Sequence, residues 1–338
     1  FNGVTFMKKH GIYKLSAVIF AVFFICGVAF ATGTKEAEKI EPAKVGGAGL
    51  EFKIVMITHG SSGDPYHSVV KQGAEDAGLV YGCAVQFLFS ESDNAKEVDM
   101  MEEAIAAGPD GIGISIVDPV AFDGVVQKAI DKGIPVISFN QDDSGTPNAR
   151  LAYIGATERK VGYTLGKYMQ KFLKRGDHIV IPEEVPGQAY AVNRSAGIID
   201  AMDEIGVTAE ELDAGYERAE TTRRISAYLL GHSETKGVLC VGGLTTEVSG
   251  MVVEDMKMQN RVVVGGFDLL PNTGPAIQKG ITKAVIDQQP YLQGYFTVMQ
   301  LVMINYGKFA PFDIDTGRGI VDSSNVDEVL ELVKKRIR

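Results

Sequence analysis

From Lys53 onward the chain alternates short β-branched runs with longer helical patterns, and it does so in two successive series. A short apolar run bounded by turn residues reads as a buried strand. Strands are expected over 53–58, 84–89, 111–116 and 135–139, with helices over 65–78, 95–107 and 119–132 between them. Pro65 stands at a favoured first-turn position, and Gly133 ends the third helix. Four such buried strands alternating with three helices imply a parallel, doubly wound α/β sheet.

The polar, turn-rich stretch 141–150, with Gly145 and Pro147, interrupts the alternation and is the expected first passage between two lobes. After a short strand at 151–154 the pattern restarts. Helices are expected over 158–174, 189–205, 220–230, 245–258, 270–279 and 291–306, and a charged helix from Val326. Strands are expected over 178–181, near Leu212, and over 237–241, 262–267 and 284–287. A chain of 338 residues suits two lobes of about 100–150 residues each. The tandem halves suggest that the lobes share one architecture.

In open α/β sheets, ligands sit outside the carboxyl ends of strands. Two strand ends carry suitable groups: Asp268 closes Val262-Val-Val-Gly-Gly-Phe-Asp268, and Asp287, Gln288 and Gln289 follow Ala284-Val-Ile. The net charge of −10, with no basic run outside the extreme termini, argues against a nucleic-acid partner. Apolar content of 45% and charged content of 22% are ordinary for a globular chain.

The N-terminus reads as a targeting segment. Met7 is the expected start, Lys8, Lys9 and Lys14 form a positive region, and 15–30 is apolar. Ala29-Phe-Ala31 supplies a small-x-small cleavage pattern, so 1–31 is expected to be a signal peptide and the protein exported to the periplasm. An uncleaved anchor or lipid attachment at Cys26 is the alternative; bulky Ile25 disfavours the latter. Residues 32–51 mix Lys, Glu, Gly and Ala and read as a flexible linker. Cys83 and Cys240 then remain, near strands of different lobes, and are expected to be free, buried thiols.

Gly46-Gly-Ala-Gly49 has no strand before it, and Gly60-Ser-Ser-Gly-Asp-Pro65 lacks dinucleotide-loop spacing, so neither marks a nucleotide cofactor. The 5 histidines form no metal-spaced cluster, and no Ser–His–acid or Cys–His set has nucleophile-elbow spacing. No catalysis, cofactor or metal is expected.

Several motifs carry a family likeness in their order and spacing. They are Ile57-Thr-His-Gly60 with Gly63-Asp-Pro-Tyr-His67, Gln72-Gly-Ala-Glu75, Pro109-Asp-Gly111 and Ile116-Val-Asp-Pro119. Gly133-Ile-Pro-Val-Ile137, Val264-Gly-Gly-Phe-Asp268 and Ile286-Asp-Gln-Gln-Pro-Tyr-Leu-Gln-Gly-Tyr295 follow. From about Lys53 to Val321 the chain resembles the type I periplasmic solute-binding proteins of sugar ABC transporters, the ribose-binding-like group. The resemblance implies two lobes joined by three crossover strands, closing on a ligand like a hinge. It implies a first lobe of 52–156 plus about 289–318, and a second of 157–288 plus about 319–338. The implied ligand is a monosaccharide or polyol, the implied partner an ABC permease, and the implied state a monomer. A receptor for a sugar-like signal, an autoinducer or a chemotaxis ligand, has the same fold. A repressor of the related class needs an N-terminal helix-turn-helix where this chain has a signal-like segment.

The resemblance also nominates residues. Asp64 stands where an amide hydrogen-bonds ligand hydroxyls, and Tyr66 and His67 stand where aromatics cover the ring; the acid and the histidine depart from the usual amide and Phe. Asp64 can equally cap the following helix, and His67 can be a satisfied surface histidine. His59 ends the first strand within reach of the cleft. Asn140 ends the fourth, where a turn cap is the alternative. Asp118 reads as a helix cap. Arg194 is a ligand donor or a structural ion-pair partner. Gly243 lets backbone approach the ligand or simply makes a turn. Asp268 is the expected principal hydroxyl acceptor, with helix capping as its alternative. Gln288 is a ligand-contacting hinge amide or a hinge-stabilising one.

Overall fold

A computed structural model describes residues 52–142 and 148–338. The expected signal peptide, linker and Cys26 lie outside these residues. Two sheets of six strands each carry the fold, and the chain passes between them three times. The first sheet has the order β11-β5-β4-β3-β1-β2 and the second β12-β10-β9-β8-β6-β7. They are built from β1 (Lys53–Thr58), β2 (Ala84–Phe89), β3 (Gly111–Ile114), β4 (Val136–Phe139), β5 (Ala152–Gly155), β6 (His178–Glu183) and β7 (Thr208–Asp213). The remaining strands are β8 (Thr235–Leu239), β9 (Val263–Phe267), β10 (Thr282–Asp287), β11 (Ile314–Asp315) and β12 (Gly319–Asp322). Every pairing is parallel except that of β10 with β12. This is the expected pair of doubly wound α/β lobes.

Local chemistry fixes the helices of the first lobe. In α1 (Pro65–Tyr81), Asp64 caps the start by accepting from the Tyr66 N–H at 2.8 Å, and Gly82 ends it at φ 68°. In α2 (Asn94–Ala107), Asp93 accepts from Lys96 N at 3.0 Å. In α3 (Pro119–Asp131), Asp118 accepts from Val120 N and Ala121 N, the capping role expected of it. Each cap satisfies N–H groups that the first helical turn leaves without partners. The central strands are buried on both faces: Ile54, Met56, Ile57, Ile112 and Ile114 in the first sheet, and Ile179, Ile181, Val238, Leu239 and Val264 in the second.

The second lobe uses α4 (Glu158–Met169), α5 (Ala189–Asp203), α6 (Arg218–Gly231), α7 (Gly243–Asp255), α8 (Thr273–Gln278) and α10 (Val326–Lys334). Helix α9 (Pro290–Gly307) lies in the first lobe, where Val298, Leu301 and Val302 pack with Ile54, Ile137 and Phe139. Thus 291–306 carries the chain back to the first lobe, as expected.

Two expectations are corrected. The first passage is not 141–150: β4 and β5, which flank that stretch, pair in parallel within the first sheet, and 143–147 lie outside the described residues. The passage follows β5, at Ala156 and Thr157. A polar insertion within one lobe has the same composition as a linker between lobes, and composition alone misplaced it. Cys83 and Cys240 are both free, but Cys83 is only partly buried, because it lies in the turn between α1 and β2.

Helices α1 and α9 approach until backbones touch. A Cβ on Gly294 would lie 1.9 Å from the Val70 carbonyl oxygen, and one on Gly73 would lie 2.0 Å from that of Tyr291. The second lobe repeats the device: Gly162 faces the Arg194 carbonyl at 2.1 Å and Gly197 faces that of Arg159 at 2.1 Å. Backbone cannot rotate away as a side chain can. Gly294→Ala should therefore cost roughly 1–3 kcal/mol by overpacking. Gly124→Ala, on open space in α3, should instead gain up to about 1 kcal/mol from helix propensity. Urea denaturation of the two variants checks the contrast; equal effects would contradict it.

Candidate functional site

The three passages lie side by side. A Cβ on Gly317, in the third, would fall 2.3 Å from Val161 Cγ1 and 2.8 Å from Ala156 Cβ, in the first. Gln289, in the second, donates from Nε2 to the Thr316 carbonyl of the third at 2.7 Å. Tyr153 braces the first passage by donating its hydroxyl to the carbonyls of Asn140 (2.8 Å) and Ala156 (3.0 Å).

Strand ends β4 and β9 occupy equivalent positions in the two sheets, and each ends in a left-handed residue: Asn140 at φ 61° and Asp268 at φ 61°. Asn and Asp tolerate this conformation better than other side-chain-bearing residues. It turns the chain sharply and leaves the side chain at the strand's carboxyl end.

A continuous set of hydrogen bonds joins these two ends. Asn140 Nδ2 donates to the Tyr66 hydroxyl at 3.0 Å, and that hydroxyl donates to Gln293 Oε1 at 2.9 Å. Gln293, fully buried in α9, donates from Nε2 to the Gln288 carbonyl and to Thr316 Oγ1, both at 3.2 Å. Gln288 Nε2 donates to the Asp268 carboxylate at 3.0 and 3.2 Å, and Gln288 Oε1 accepts from Arg194 Nη2 at 2.9 Å. The buried Arg194 also donates to Glu158 at 2.5 Å and to the Val241 carbonyl at 2.8 Å, and its guanidinium lies 4.2 Å from the Phe267 ring centre. The expected ion-pair role of Arg194 is present, together with its link to the hinge amide. Gly243 begins α7, and a Cβ there would lie 3.4 Å from Asp268 Cβ.

His59, Asp64 and His67 form an adjoining group. His67 is buried rather than on the surface: its Nδ1 is hydrogen-bonded to Thr58 Oγ1 at 2.8 Å, and its ring fills the space that a side chain on Gly60 would need. His59 Nδ1 is hydrogen-bonded to Ser115 Oγ at 2.6 Å, and its ring meets that of His67 edge-on at 4.8 Å. Tyr66 meets His67 edge-on at 5.3 Å, which joins the two groups. Burial lowers His67 to about 4; burial, then the neighbouring His67, lowers His59 to about 3. Both rings are neutral at neutral pH. The nine residues nominated from the sequence belong to, or directly adjoin, these two linked groups of contacts.

The sequence reading missed Gln293, Tyr153, Glu158 and Glu184. Gln293 stood within a quoted motif, and an amide at a core-facing position of a largely apolar helix was its signal. Glu158 had no local signal, since its role depends on Arg194 from another helix. Among the described residues, no group of three or more His, Cys, Asp or Glu is placed to hold a metal ion. No described helix is long and apolar enough to cross a membrane.

Two six-stranded α/β sheets, three adjacent passages and polar side chains gathered between facing strand ends define a two-lobed ligand-binding fold. The periplasmic binding protein domain model matches residues 54–308, and the chain belongs to that family. It is 31% identical over 295 residues to a xylose/arabinose-binding protein of Sulfolobus acidocaldarius, covering 82% of this chain and 73% of the relative. It is 27% identical to a D-ribose/D-allose-binding protein of Pseudomonas aeruginosa, covering 69% and 74%. Among solved structures, a periplasmic sugar-binding protein of an ABC sugar transporter from Legionella pneumophila is 30% identical with a TM-score of 0.72, covering 79% of this chain and 100% of that one. A carbohydrate transporter from Acidothermus cellulolyticus in complex with myo-inositol is 25% identical with a TM-score of 0.73, covering 85% and 100%.

Burial, opposed in part by Arg194 and Gln288, raises Asp268 to about 7. Its folded value exceeds its unfolded one, so between about pH 4 and 7 the folded chain holds a proton that the unfolded chain has lost. This stability contribution is fully present below about pH 4 and is lost as pH rises through about 7. Asp268→Asn tolerates the left-handed backbone and removes the buried charge. Relative to the parent it should gain about 1–2 kcal/mol at pH 8, and the gain should fade towards pH 4. Denaturant midpoints at both pH values check the sign; a gain that grows at low pH would contradict it.

Proposed function

We propose that this protein is an exported, monomeric solute-binding protein that captures a monosaccharide or polyol between its lobes and delivers it to an ABC permease. The observation that carries the reading is the pair of facing strand-end groups, Asn140 and Asp268, with Tyr66 between them. An amide and a carboxylate can pair with hydroxyls of a polyhydroxylated ring, while aromatic surface covers its C–H face. The names of the relatives, binders of xylose, arabinose, ribose and allose, support the same class of ligand. The neighbour that holds myo-inositol extends it to polyols.

In this reading the lobes comprise 52–156 with about 289–318, and 157–288 with about 319–338. Asp268 is the main hydroxyl acceptor, and Asn140, Asp64, His59 and Arg194 add polar contacts. Tyr66 and His67 form the apolar wall, and Gly243 allows close approach of backbone. Gln288 lies on a passage and bonds Asp268, so ligand contact and lobe angle are coupled through it. The ligand stabilises whichever lobe angle brings Asn140 and Asp268 onto one ring. The activity is binding and release rather than catalysis, and the site acts in the periplasm or its equivalent outside the membrane.

A thermal-shift screen of the chain from residue 52 onward against pentoses, hexoses and inositols tests the reading. A ligand at about 100 times its Kd should add roughly 2.7 kcal/mol of stability. A screen in which amino acids or nucleosides stabilise the protein and no sugar or polyol does would overturn it. With a ligand in hand, Asp268→Ala should weaken binding by roughly 2–4 kcal/mol in calorimetry. Unchanged affinity in a folded variant would remove Asp268 from the site. Gln293→Ala should weaken binding through misplacement of Tyr66 and the hinge, and Gln293→Glu, which still accepts from Tyr66 but loses both donors to the passages, should weaken it too; calorimetry checks both.

A further inference from the structure

Two places in the cleft could hold an anion, and the protein fills both with its own carboxylates. The first is the start of α7, a helix of 13 residues that Gly242 caps and Gly243 begins. Free N–H groups at a helix start attract negative charge. Here Glu184, from the carboxyl end of β6, is 9% exposed and accepts from the Thr245 N–H at 2.9 Å and from Thr245 Oγ1 at 3.4 Å. The Tyr190 hydroxyl donates to its other oxygen at 3.4 Å. A Cβ on Gly242 would lie 2.2 Å from that oxygen, so the glycine makes room for the carboxylate. The second place is the guanidinium of Arg194, which Glu158 occupies.

Two further acids, Asp64 and Asp268, stand nearby. Asp64 caps α1 with Oδ1, while Oδ2 lies 3.8 Å from the neutral His67. Burial raises Tyr216 above its usual value, and the charges of Glu184 on its own lobe and Asp64 on the other both add to the shift. Glu184 also adds to the upward shift of Asp268. Glu184 and Asp268 meet at the start of α7, where a Cβ on Gly242 would lie 2.2 Å from a Glu184 oxygen and one on Gly243 would lie 3.4 Å from Asp268 Cβ. Asp64 adjoins them through Tyr66, from whose N–H it accepts and whose hydroxyl accepts from Asn140, and the nearby Arg194 is already paired with Glu158.

We propose that Glu184 is a specificity-determining residue, and that with Asp64 and Asp268 it makes the cleft reject acidic sugars while admitting uncharged or amine-bearing polyols. A ligand carboxylate or phosphate would meet the carboxylates of Glu184 and Asp64 and a partly ionised Asp268, and both of its natural partners are occupied. An amine in the same position would meet attraction. Specificity of this kind comes from repulsion built against the wrong ligand as much as from contacts to the right one. The inference rests on the polyol-binding reading and goes beyond it by naming the ligand charge.

The test measures Kd by calorimetry for matched sets at neutral pH: glucose, glucuronate and glucosamine; galactose, galacturonate and galactosamine. The acid of any set whose neutral member binds should bind at least about 100-fold more weakly, and the amine no more weakly than the neutral sugar. In Glu184→Gln the ratio of neutral to acid affinity should fall by at least about tenfold. Acids that bind the parent as tightly as neutral sugars would overturn the inference and leave the polyol reading intact. An unchanged ratio in a folded Glu184→Gln would remove Glu184 from the role. If no neutral or amino sugar binds, in these sets or in the wider panel above, the polyol reading and this inference fail together.

Discussion

Two buried amides, Gln288 and Gln293, tie the hinge to the cleft. An amide has donors and acceptors on one rigid plane, and in a dry site each needs a partner. Gln293 spends its donors on the second and third passages and its acceptor on Tyr66. Gln288 spends its donor on Asp268 and its acceptor on Arg194. A change of lobe angle therefore cannot leave the site unaltered, because the groups that stabilise the passages also orient the side chains facing the ligand. Small motions at the hinge and the ordering of Tyr66 and Asp268 are parts of one network.

The network also explains why so much charge is tolerated between the lobes. Burying an isolated charge is costly, and pairing with hydrogen bonds offsets that cost. Burial works against the charge on Arg194, but its contacts with Glu158 outweigh this and hold its pKa above the ordinary value. Asp268 is less fully compensated, with one amide and a shared arginine, and its raised pKa records the deficit. A carboxylate short of partners in the empty protein is one that ligand hydroxyls can satisfy.

Much of this was legible in the sequence for physical reasons. Buried parallel strands need apolar residues on both faces, and the runs at Lys53, Gly111 and Val263 have them. Asp64, Asp93 and Asp118 precede helical patterns with the spacing of caps. Asn140 and Asp268 were readable as strand-end groups, although their matching left-handed backbones were not. The hidden parts depend on long-range pairing. Nothing near Glu158 signals Arg194, and nothing near Glu184 signals the start of α7. The polar segment 141–150 was misread because a loop within a lobe and a passage between lobes satisfy the same local rules. Thr316 and its neighbours form the third passage with almost no local pattern, being held by Gln289 and Gln293 from elsewhere in the chain.

The symmetry of the two lobes has a consequence for where chemistry can reside. Equivalent strand ends, β4 and β9, supply Asn140 and Asp268. Equivalent helix pairs, α1 with α9 and α4 with α5, touch through reciprocal glycines. The central scaffold is thus much the same on both sides, apart from the antiparallel edge pairing of β10 with β12 and the additional helices of the second lobe, and the facing strand ends differ in their side chains. The first lobe contributes an amide, a phenol, two neutral imidazoles and one carboxylate, Asp64, that is partly engaged as a helix cap, whereas the second contributes the other carboxylates and one paired guanidinium. A ligand held between such halves meets apolar and weakly polar surface on one face and strong acceptors on the other. That division favours a flat ring with hydroxyls on its rim, since such a ring can present C–H surface to one lobe and O–H donors to the other.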